Sequence, residues 1–301
     1  MSRKRKELPL LNDVHIMDVA AEGNSIARVN EMVVFIPFGA PGDVADVKID
    51  RKKRSYAEGH IENLKTPSPI RIAPQCEHFG ICGGCRWQHL PYEFQLQCKQ
   101  KQVKDALERI AKVELPEISP ILGSKNIWEY RNKMEYTFSN KCWLTFEQLR
   151  SGEEFPDRDA AGFHIPGAFD KVLDIHKCWL QDDLGNSIRN FIKSYAKENK
   201  YPFYDLKAQE GLLRTIMIRI TSIGEVMLLV CFGADNQSAI DDVMNAISLK
   251  FPQITSLLYT INLKANDTFN DLDIITYSGK PYIEERMAVS YTHLRAHETE
   301  L

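Results

Sequence analysis

Three cysteines in a short glycine-containing stretch are the residues of this chain best suited to chemistry. Cys76, Cys82 and Cys85 have the spacing C-x5-C-x2-C, and Gly83 and Gly84 separate the last two. Glycine lets the backbone turn tightly and bring its N–H groups near both sulfur atoms, which suits thiolates that share one site. The spacing therefore predicts a metal site with cysteine ligands.

A tetrahedral thiolate site needs a fourth ligand. The remaining cysteines are Cys98, Cys142, Cys178 and Cys231. Cys178 is the best candidate because it lies in a short segment with apolar neighbours that could return to the loop from far along the chain. Zn²⁺ and an iron–sulfur cluster both accept four thiolates, so the spacing leaves both metals open.

Other interpretations of these cysteines are weaker. Buried cysteines often act only as small apolar side chains. A redox C-x2-C motif sits on a βα unit, whereas the residues before Cys82, including Pro74 and Gly80, indicate a loop. The odd count of seven cysteines fits a reducing cytoplasm better than a secreted disulfide framework.

Composition limits the class of protein. A chain of 301 residues with 44% hydrophobic and 26% charged residues predicts an ordinary soluble protein of two or three domains. The net charge of −3 argues against polyanion binding over the whole surface, yet cations concentrate in residues 3–6 and 48–54. Neither a membrane span nor a secretory signal is visible, so we expect a cytoplasmic protein.

Short apolar runs separated by turn residues fill the region from residue 10 to residue 64. The runs are residues 14–19, 27–29, 32–37, 43–49 and 57–61. This pattern predicts a small five-stranded antiparallel barrel, the OB-like architecture used by many nucleic-acid-binding modules.

A basic hairpin tip is expected between the last two strands of this barrel. Four consecutive cations form it, followed by Tyr56 as a stacking partner for a base. With two further cations on the strands, the predicted RNA-binding residues are Arg28, Lys48, Arg51, Lys52, Lys53 and Arg54. A merely solvated loop is the alternative interpretation.

Mixed α and β patterns follow the cysteines. An amphipathic helix is predicted over residues 92–111, a hairpin from residues 214–220 and 225–232, a helix over residues 235–249, and a strand over residues 256–262.

In combination, these motifs resemble those of one enzyme family. The first stretch resembles a TRAM domain, and the cysteines with the following residues 87–99 resemble the cluster segment of the RumA/RlmD-type 23S rRNA uracil-5-methyltransferases. Residues 130–133 (Tyr-Arg-Asn-Lys), residues 162–164 (Gly-Phe-His) and the segment Asp174-Ile175-x-x-Cys178 resemble further blocks of that family. The resemblance covers roughly residues 10–287, and an ordered set of motifs is more specific than any one of them.

The resemblance implies a function and a set of ligands. In that family four cysteines hold a [4Fe–4S] cluster, so Cys76, Cys82, Cys85 and Cys178 become its expected ligands, and Cys98 matches no ligand position. S-adenosylmethionine is the implied methyl donor and a uridine of 23S rRNA the implied substrate, because the tRNA-modifying relatives lack the TRAM domain and the cysteines. Arg131 matches an arginine near the target base. We also expect a monomer that does not associate with a membrane.

The sequence departs from the family in its chemistry. A uracil-5-methyltransferase needs a nucleophilic cysteine, a carboxylate base and a Rossmann-like fold for S-adenosylmethionine, and none of these is visible. We therefore expect the family's C-terminal Rossmann-like domain to be absent from this chain and the 301 residues alone to be inactive. Residues 288–301 resemble no family segment, so His293 and His297 are not expected to bind metal.

Two other functions are open. One is a non-enzymatic iron–sulfur or zinc RNA-binding protein. The other, a radical S-adenosylmethionine enzyme, is disfavoured because it needs C-x3-C-x2-C.

The predicted fold class is an all-β OB-like barrel followed by an α+β iron–sulfur and central domain. The predicted boundaries are a basic disordered tail (1–9), the barrel (10–66), the cluster loop and helix (67–119), the central domain (120–287) and a non-native tail (288–301).

Overall fold

The computed structural model of the protein describes residues 8–286. The chain divides into two compact units, Met1–Ile127 and Trp128–Leu301. Most of the basic tail and the C-terminal tail with its two histidines lie outside the described residues, so the predictions made for them stay predictions.

The first unit begins with a closed five-stranded barrel, as the sequence predicted. Its strands are β1 (Leu10–Val19), β2 (Asn24–Val29), β3 (Met32–Pro37), β4 (Val44–Lys52) and β5 (Tyr56–Thr66). The order around the barrel is β1-β2-β3-β5-β4. Directions cannot alternate all the way round a ring of five strands, and β3 and β5 are the parallel pair. The expectation of a wholly antiparallel barrel was therefore wrong at this one seam.

Alternating residues of the five strands fill the barrel. The buried side chains are Val14, Ile16, Ala27, Val34, Ile36, Ala45, Val47, Ile49 and Ala57. Strands β4 and β5 approach closely at Gly59, where a Cβ atom would lie 2.5 Å from the carbonyl oxygen of Lys48. The period of two in burial leaves the intervening residues on the outer surface.

The cysteine-containing segment and the following helix pack with the barrel. Helix α1 (Tyr92–Asp105) continues as a π-helical turn over Ala106–Ala111, close to the predicted helix. A second small core joins Val19 and Ala40 of the barrel region to Leu90 and Cys98. The predicted fold class grouped the cysteine segment with an α+β domain, and that grouping was wrong because apolar side chains of the segment are buried against the barrel.

The second unit contains a seven-stranded sheet with the order β12-β11-β10-β9-β6-β7-β8. Its strands are β6 (Lys133–Ser139), β7 (Ala160–Ile165), β8 (Ala168–Asp174), β9 (Leu213–Ile220), β10 (Val226–Phe232), β11 (Ser256–Ile261) and β12 (Ile275–Gly279), and its helices are α2 (Phe146–Arg150), α3 (Asp183–Glu198) and α4 (Gln237–Lys250). Strands β10 and β11 are parallel because α4 connects them, and the other neighbouring strands are antiparallel. The predicted hairpin, helix and strand are confirmed.

Helix α3 begins at a polar cap and packs beside α4. The carboxylate of Asp182 accepts a hydrogen bond from the backbone N–H of Leu184 at 2.7 Å, which satisfies one exposed donor of the first turn. The hydroxyls of Tyr195 and Tyr201 both donate to Asp242 of α4 at 2.8 Å. That hydrogen bond to Asp242 raises the pKa of Tyr201 to about 12.

Among residues 8–286, no helix combines the length and the apolar character that crossing a membrane requires.

Candidate functional site

The loop between β5 and α1 holds three of the four predicted metal ligands. Cys76, Cys82 and Cys85 are all partly exposed in this loop. Gly83 has a φ of 74°, in the left-handed region that glycine adopts without strain. The backbone N–H of Gly84 points at the Sγ atom of Cys82 at 3.5 Å. The glycine pair thus supplies an N–H contact to one of the two sulfur atoms for which the sequence predicted such contacts.

Hydrogen bonds and ring contacts hold this cysteine loop. The backbone N–H of Cys76 donates to the side chain of Gln88 at 3.1 Å. Inside the loop, the N–H of Cys82 donates to the carbonyl of His78 at 3.2 Å. Phe79, which lies between the first two cysteines, packs edge-on against Phe38 with ring centroids 5.2 Å apart. The loop is therefore shaped by its own turns and by one aromatic anchor.

His89 also packs against this loop. It is buried, its Nε2 atom lies 2.9 Å from the carbonyl oxygen of Gly39, and its ring is 5.4 Å from that of Phe79. Burial lowers the pKa of His89. The imidazole is therefore neutral near pH 7, with its Nε2 proton donated to Gly39.

A buried ion pair joins the barrel to the segment that leads into the cysteine loop. Asp43 is fully buried and accepts hydrogen bonds from the backbone N–H groups of Ala40 and Ser68 at 2.6 and 2.8 Å. The guanidinium of Arg71 donates to both of its carboxylate oxygens at 2.8 and 2.6 Å. Burial raises the pKa of Asp43, but these donors outweigh burial and hold it below its ordinary value.

Cys178 lies in the second unit and is buried. Its backbone N–H donates to the side-chain oxygen of Asn186 at 2.8 Å, and the side-chain N–H of Asn186 donates to the Cys178 carbonyl at 3.0 Å. Asn186 lies on the first turns of α3. A residue of the helix therefore bonds both the backbone N–H and the backbone carbonyl of Cys178.

A buried arginine lies beside Cys178. Arg189 is inaccessible to solvent, donates to the side chain of Asn186 at 3.1 Å and to the carbonyl of His176 at 2.7 Å, and stacks over the ring of Tyr136 at 4.6 Å. Burial lowers the pKa of Arg189, with nearby Tyr136 and Cys178 opposing it. These bonds go to neutral oxygen atoms, and the carboxylate of Asp174 also favours the charged form of Arg189. A buried positive charge at this position suits a neighbouring thiolate or anionic metal centre.

The other three cysteines, Cys98, Cys142 and Cys231, lie in environments typical of thiols that only fill a core. Burial raises the pKa of Cys98 and of Cys142. Cys231 lies within β10, and burial raises its pKa to about 11. A thiol that is held neutral by burial is a poor metal ligand and a poor nucleophile.

The basic tip lies at the β4–β5 turn, as predicted. Arg51, Lys52, Lys53 and Arg54 are exposed, and the guanidinium of Arg51 is 3.8 Å from the carboxylate of Glu58. Lys48 is partly exposed opposite His60 on β5. The tip therefore presents several cations to solvent, which meets the electrostatic requirement for phosphate contacts.

Arg28 and Tyr56 lie on the two strands that flank β3. Arg28 of β2 is opposite Val33 of β3, which is opposite Tyr56 of β5. The Tyr56 ring packs edge-on against that of Phe35 at 5.7 Å. The register thus puts Arg28 in one row with Tyr56, with Val33 of β3 between them.

Arg131 is exposed in the second unit, close to the segment that carries Cys178. Its backbone N–H donates to the carbonyl of Leu180 at 2.8 Å, and the N–H of Glu129 donates to the carbonyl of Trp179 at 3.0 Å. The structure therefore brings the predicted substrate contact and the predicted fourth ligand onto two paired segments.

Several residues that shape these sites carry no local signal in the sequence. Asn186, Arg189 and Asp43 act through tertiary contacts. Trp128 lies two residues before the Tyr-Arg-Asn-Lys stretch, and this proximity is the one signal that points to it.

Comparisons with known proteins agree with the sequence motifs. Residues 12–61 match the TRAM domain. The chain is 51% identical over 279 residues to an uncharacterised RNA methyltransferase of Porphyromonas gingivalis, covering 91% of this chain and 60% of that protein. It is 52% identical over 272 residues to one of Bacteroides thetaiotaomicron, covering 89% of this chain and 60% of that protein.

One solved structure shares the fold. It is the tRNA (uracil-54, C5)-methyltransferase of Pyrococcus abyssi in complex with S-adenosyl-L-homocysteine, with a TM-score of 0.59 and 22% identity, covering 91% of this chain and 57% of that chain.

The barrel and the family match define a protein that contains a TRAM domain. Over about nine-tenths of its length the chain is similar to RNA methyltransferases, in agreement with its motifs. It spans about 60% of the length of the two curated relatives described above.

The predicted fold class requires a second correction. The expectation that the methyltransferase domain is absent was wrong, because the similarity to methyltransferases extends over 91% of the chain. The expectation that the 301 residues alone are inactive is not supported by this similarity. The chain shares the fold of part of a methyltransferase. The alternative of a non-enzymatic RNA-binding protein is not favoured.

Proposed function

We propose that the protein methylates C5 of a uridine in RNA, with S-adenosylmethionine as the methyl donor. The observation that carries this proposal is the 51–52% identity to RNA methyltransferases over about nine-tenths of the chain. The shared fold with a uracil-C5 methyltransferase supports the choice of base and atom. When bound, S-adenosylmethionine supplies the methyl group, and the described residues bind and orient the RNA.

The proposed substrate is 23S rRNA. Support comes from the combination of a TRAM barrel with the C-x5-C-x2-C loop, which the 23S rRNA enzymes of this family share. The solved neighbour is named for a tRNA, and its similarity covers 91% of this chain, too much to leave out the barrel. The expectation that tRNA-modifying relatives lack the TRAM domain was therefore wrong, and an experiment must compare the two RNAs. We further propose that the protein acts as a monomer in the cytoplasm.

The cysteine loop is proposed to hold a [4Fe–4S] cluster through Cys76, Cys82, Cys85 and Cys178. The donor set fits, because three thiols share one loop with a backbone N–H directed at one sulfur. Cys178 has a rigid backbone and a buried guanidinium beside it, which suits a centre of negative charge. When bound, the cluster would supply a structural link and no chemical step.

The RNA contacts are proposed to come from both units. The exposed cations Arg51, Lys52, Lys53 and Arg54, with Arg28 and Lys48 on the strands, would contact phosphates. Arg131 is exposed beside the Cys178 segment and would contact the substrate near the target base.

A direct test uses the full-length protein with S-adenosylmethionine labelled in its methyl group. Unmodified 23S rRNA and unmodified tRNA would each be incubated with it, digested to nucleosides and analysed by mass spectrometry. We expect labelled 5-methyluridine in 23S rRNA only. Label in tRNA alone would refute the rRNA assignment, and label on a ribose or on no nucleoside would refute the proposed reaction.

A further inference from the structure

Two tryptophans are adjacent at the surface of the second unit. Trp128 and Trp179 are both partly exposed, and their rings meet edge to face with centroids 6.3 Å apart. A large aromatic side chain that is left at the surface loses the favourable free energy of burial. Paired surface tryptophans therefore indicate a surface that contacts a ligand.

The backbone holds the two rings in place. Glu129 and Arg131 donate to the carbonyls of Trp179 and Leu180 at 3.0 and 2.8 Å, so the two segments that carry the tryptophans are paired. The residue before Trp179 is fixed by the two hydrogen bonds to Asn186. A ring pair fixed in this way loses little further conformational entropy when a ligand binds.

One cation contacts the pair, and a further aromatic ring and cation follow Trp128 closely in the chain. The ammonium group of Lys177 lies 4.2 Å from the centroid of the Trp179 ring, and it also pairs with Asp183 at 2.7 Å. Tyr130 is 60% exposed, and Arg131 next to it is exposed. Aromatic faces combined with cations are typical of sites that bind single-stranded nucleic acid, where bases stack on rings and phosphates pair with cations.

We propose that Trp128 and Trp179 form a stacking site for unpaired bases of the RNA substrate. The inference rests on the proposed function for the identity of the ligand and deepens it, because it requires the bound RNA segment to be single-stranded. Bases inside a duplex do not offer their faces to a side chain, whereas bases in loops and bulges do. The site recognises base faces in general and selects no particular base.

Binding of short RNAs to the full-length protein tests this site. Three probes are needed: a single-stranded uridine-rich RNA of about eight nucleotides, the same strand with abasic residues at its centre, and the strand paired to its complement. Affinity would be measured by anisotropy of labelled RNA. We expect the intact single strand to bind at least tenfold more tightly than the abasic strand or the duplex, since stacking contributes about 1–3 kcal/mol per base.

Substitutions locate the effect. Trp128→Ala should weaken binding of the intact strand about tenfold or more and leave binding of the abasic strand unchanged, whereas Trp128→Tyr should restore most of the affinity. Trp179→Ala should act similarly, but it adjoins Cys178, so its iron content must be measured as well. Trp143→Phe is the control, because Trp143 is a partly exposed tryptophan of the same unit whose backbone N–H bonds the carbonyl of Val172 of β8.

The outcomes separate this inference from the proposed function. Equal binding of the intact and abasic strands, or unchanged affinity in a folded Trp128→Ala protein, would overturn the stacking site even if the protein forms 5-methyluridine. Loss of stacking in Trp128→Ala together with no methyl transfer by the unsubstituted protein would support the site and refute the proposed reaction.

Discussion

The side-chain amide of Asn186 bonds both the N–H and the carbonyl of Cys178, at 2.8 and 3.0 Å. The helix that carries Asn186 therefore sets the position of a cysteine eight residues earlier. Paired bonds of this kind are costly to lose because both buried backbone groups of Cys178 would be left without partners.

Asn186→Ala should lower the free energy of unfolding of the second unit by about 2 kcal/mol. Ser187→Ala is the matched control: Ser187 lies on the same turn, but its hydroxyl bond to Asp183 is exposed. Urea unfolding monitored by circular dichroism would measure both. Equal effects of the two substitutions would show that Asn186 does not hold the Cys178 segment.

Cys178→Ser should remove the proposed cluster, whereas Cys98→Ser should retain it. Anaerobically purified protein is expected to carry about four irons with matching acid-labile sulfide. Cys98 is a sound control because it is buried in the small core beside Leu90 and its pKa is raised by burial. Stoichiometric zinc without sulfide, or the same iron content in both variants, would refute the ligand assignment.

Asp43→Asn should destabilise the first unit by about 3 kcal/mol near pH 7, because it leaves the partly buried Arg71 without its charged partner. The pKa of Asp43 is lowered in the folded state. Its contribution is therefore fully present above the unfolded carboxyl pKa of about 3.9 and is lost as the pH falls through the lower folded-state value.

Urea midpoints measured from pH 7 down to pH 3 would check this dependence. The difference between the unsubstituted protein and Asp43→Asn should shrink at the acid end. Glu58→Gln, which removes the partner of the exposed Arg51, should change the midpoint little at any pH. A difference that stays constant with pH would mean that the Asp43 charge is not what stabilises the folded state.

Replacing Arg51, Lys52, Lys53 and Arg54 together by alanine should weaken binding to structured rRNA uniformly across sequences. The dependence of log K on log salt should become shallower, by up to about four in slope, because fewer counterions are released. Lys99→Ala, which removes one exposed cation from α1, serves as the control. An unaltered salt slope in the fourfold variant would indicate that the tip is only a solvated loop that does not contact RNA.

Local patterns determined much of the first unit. Short apolar runs separated by turn residues predicted all five barrel strands, since strands are rich in apolar residues and end at turns. The parallel β3–β5 seam was not predictable in the same way, because strand order depends on contacts between distant residues. The missed helix α3 shows the same limit in the second unit. Its buried face includes Arg189, which no hydrophobic pattern would assign to a core.

For the candidate sites, residue types and spacing determined the chemistry, whereas the tertiary structure decided the surroundings. The cysteine spacing, the glycine pair and the cation run are all local, so the sequence by itself indicated a thiolate loop and a basic tip. The packing of α3 places Asn186 and Arg189 beside Cys178. The pairing of two segments about fifty residues apart brings Trp128 against Trp179. Such contacts depend on chain topology, which short-range periodicity does not encode.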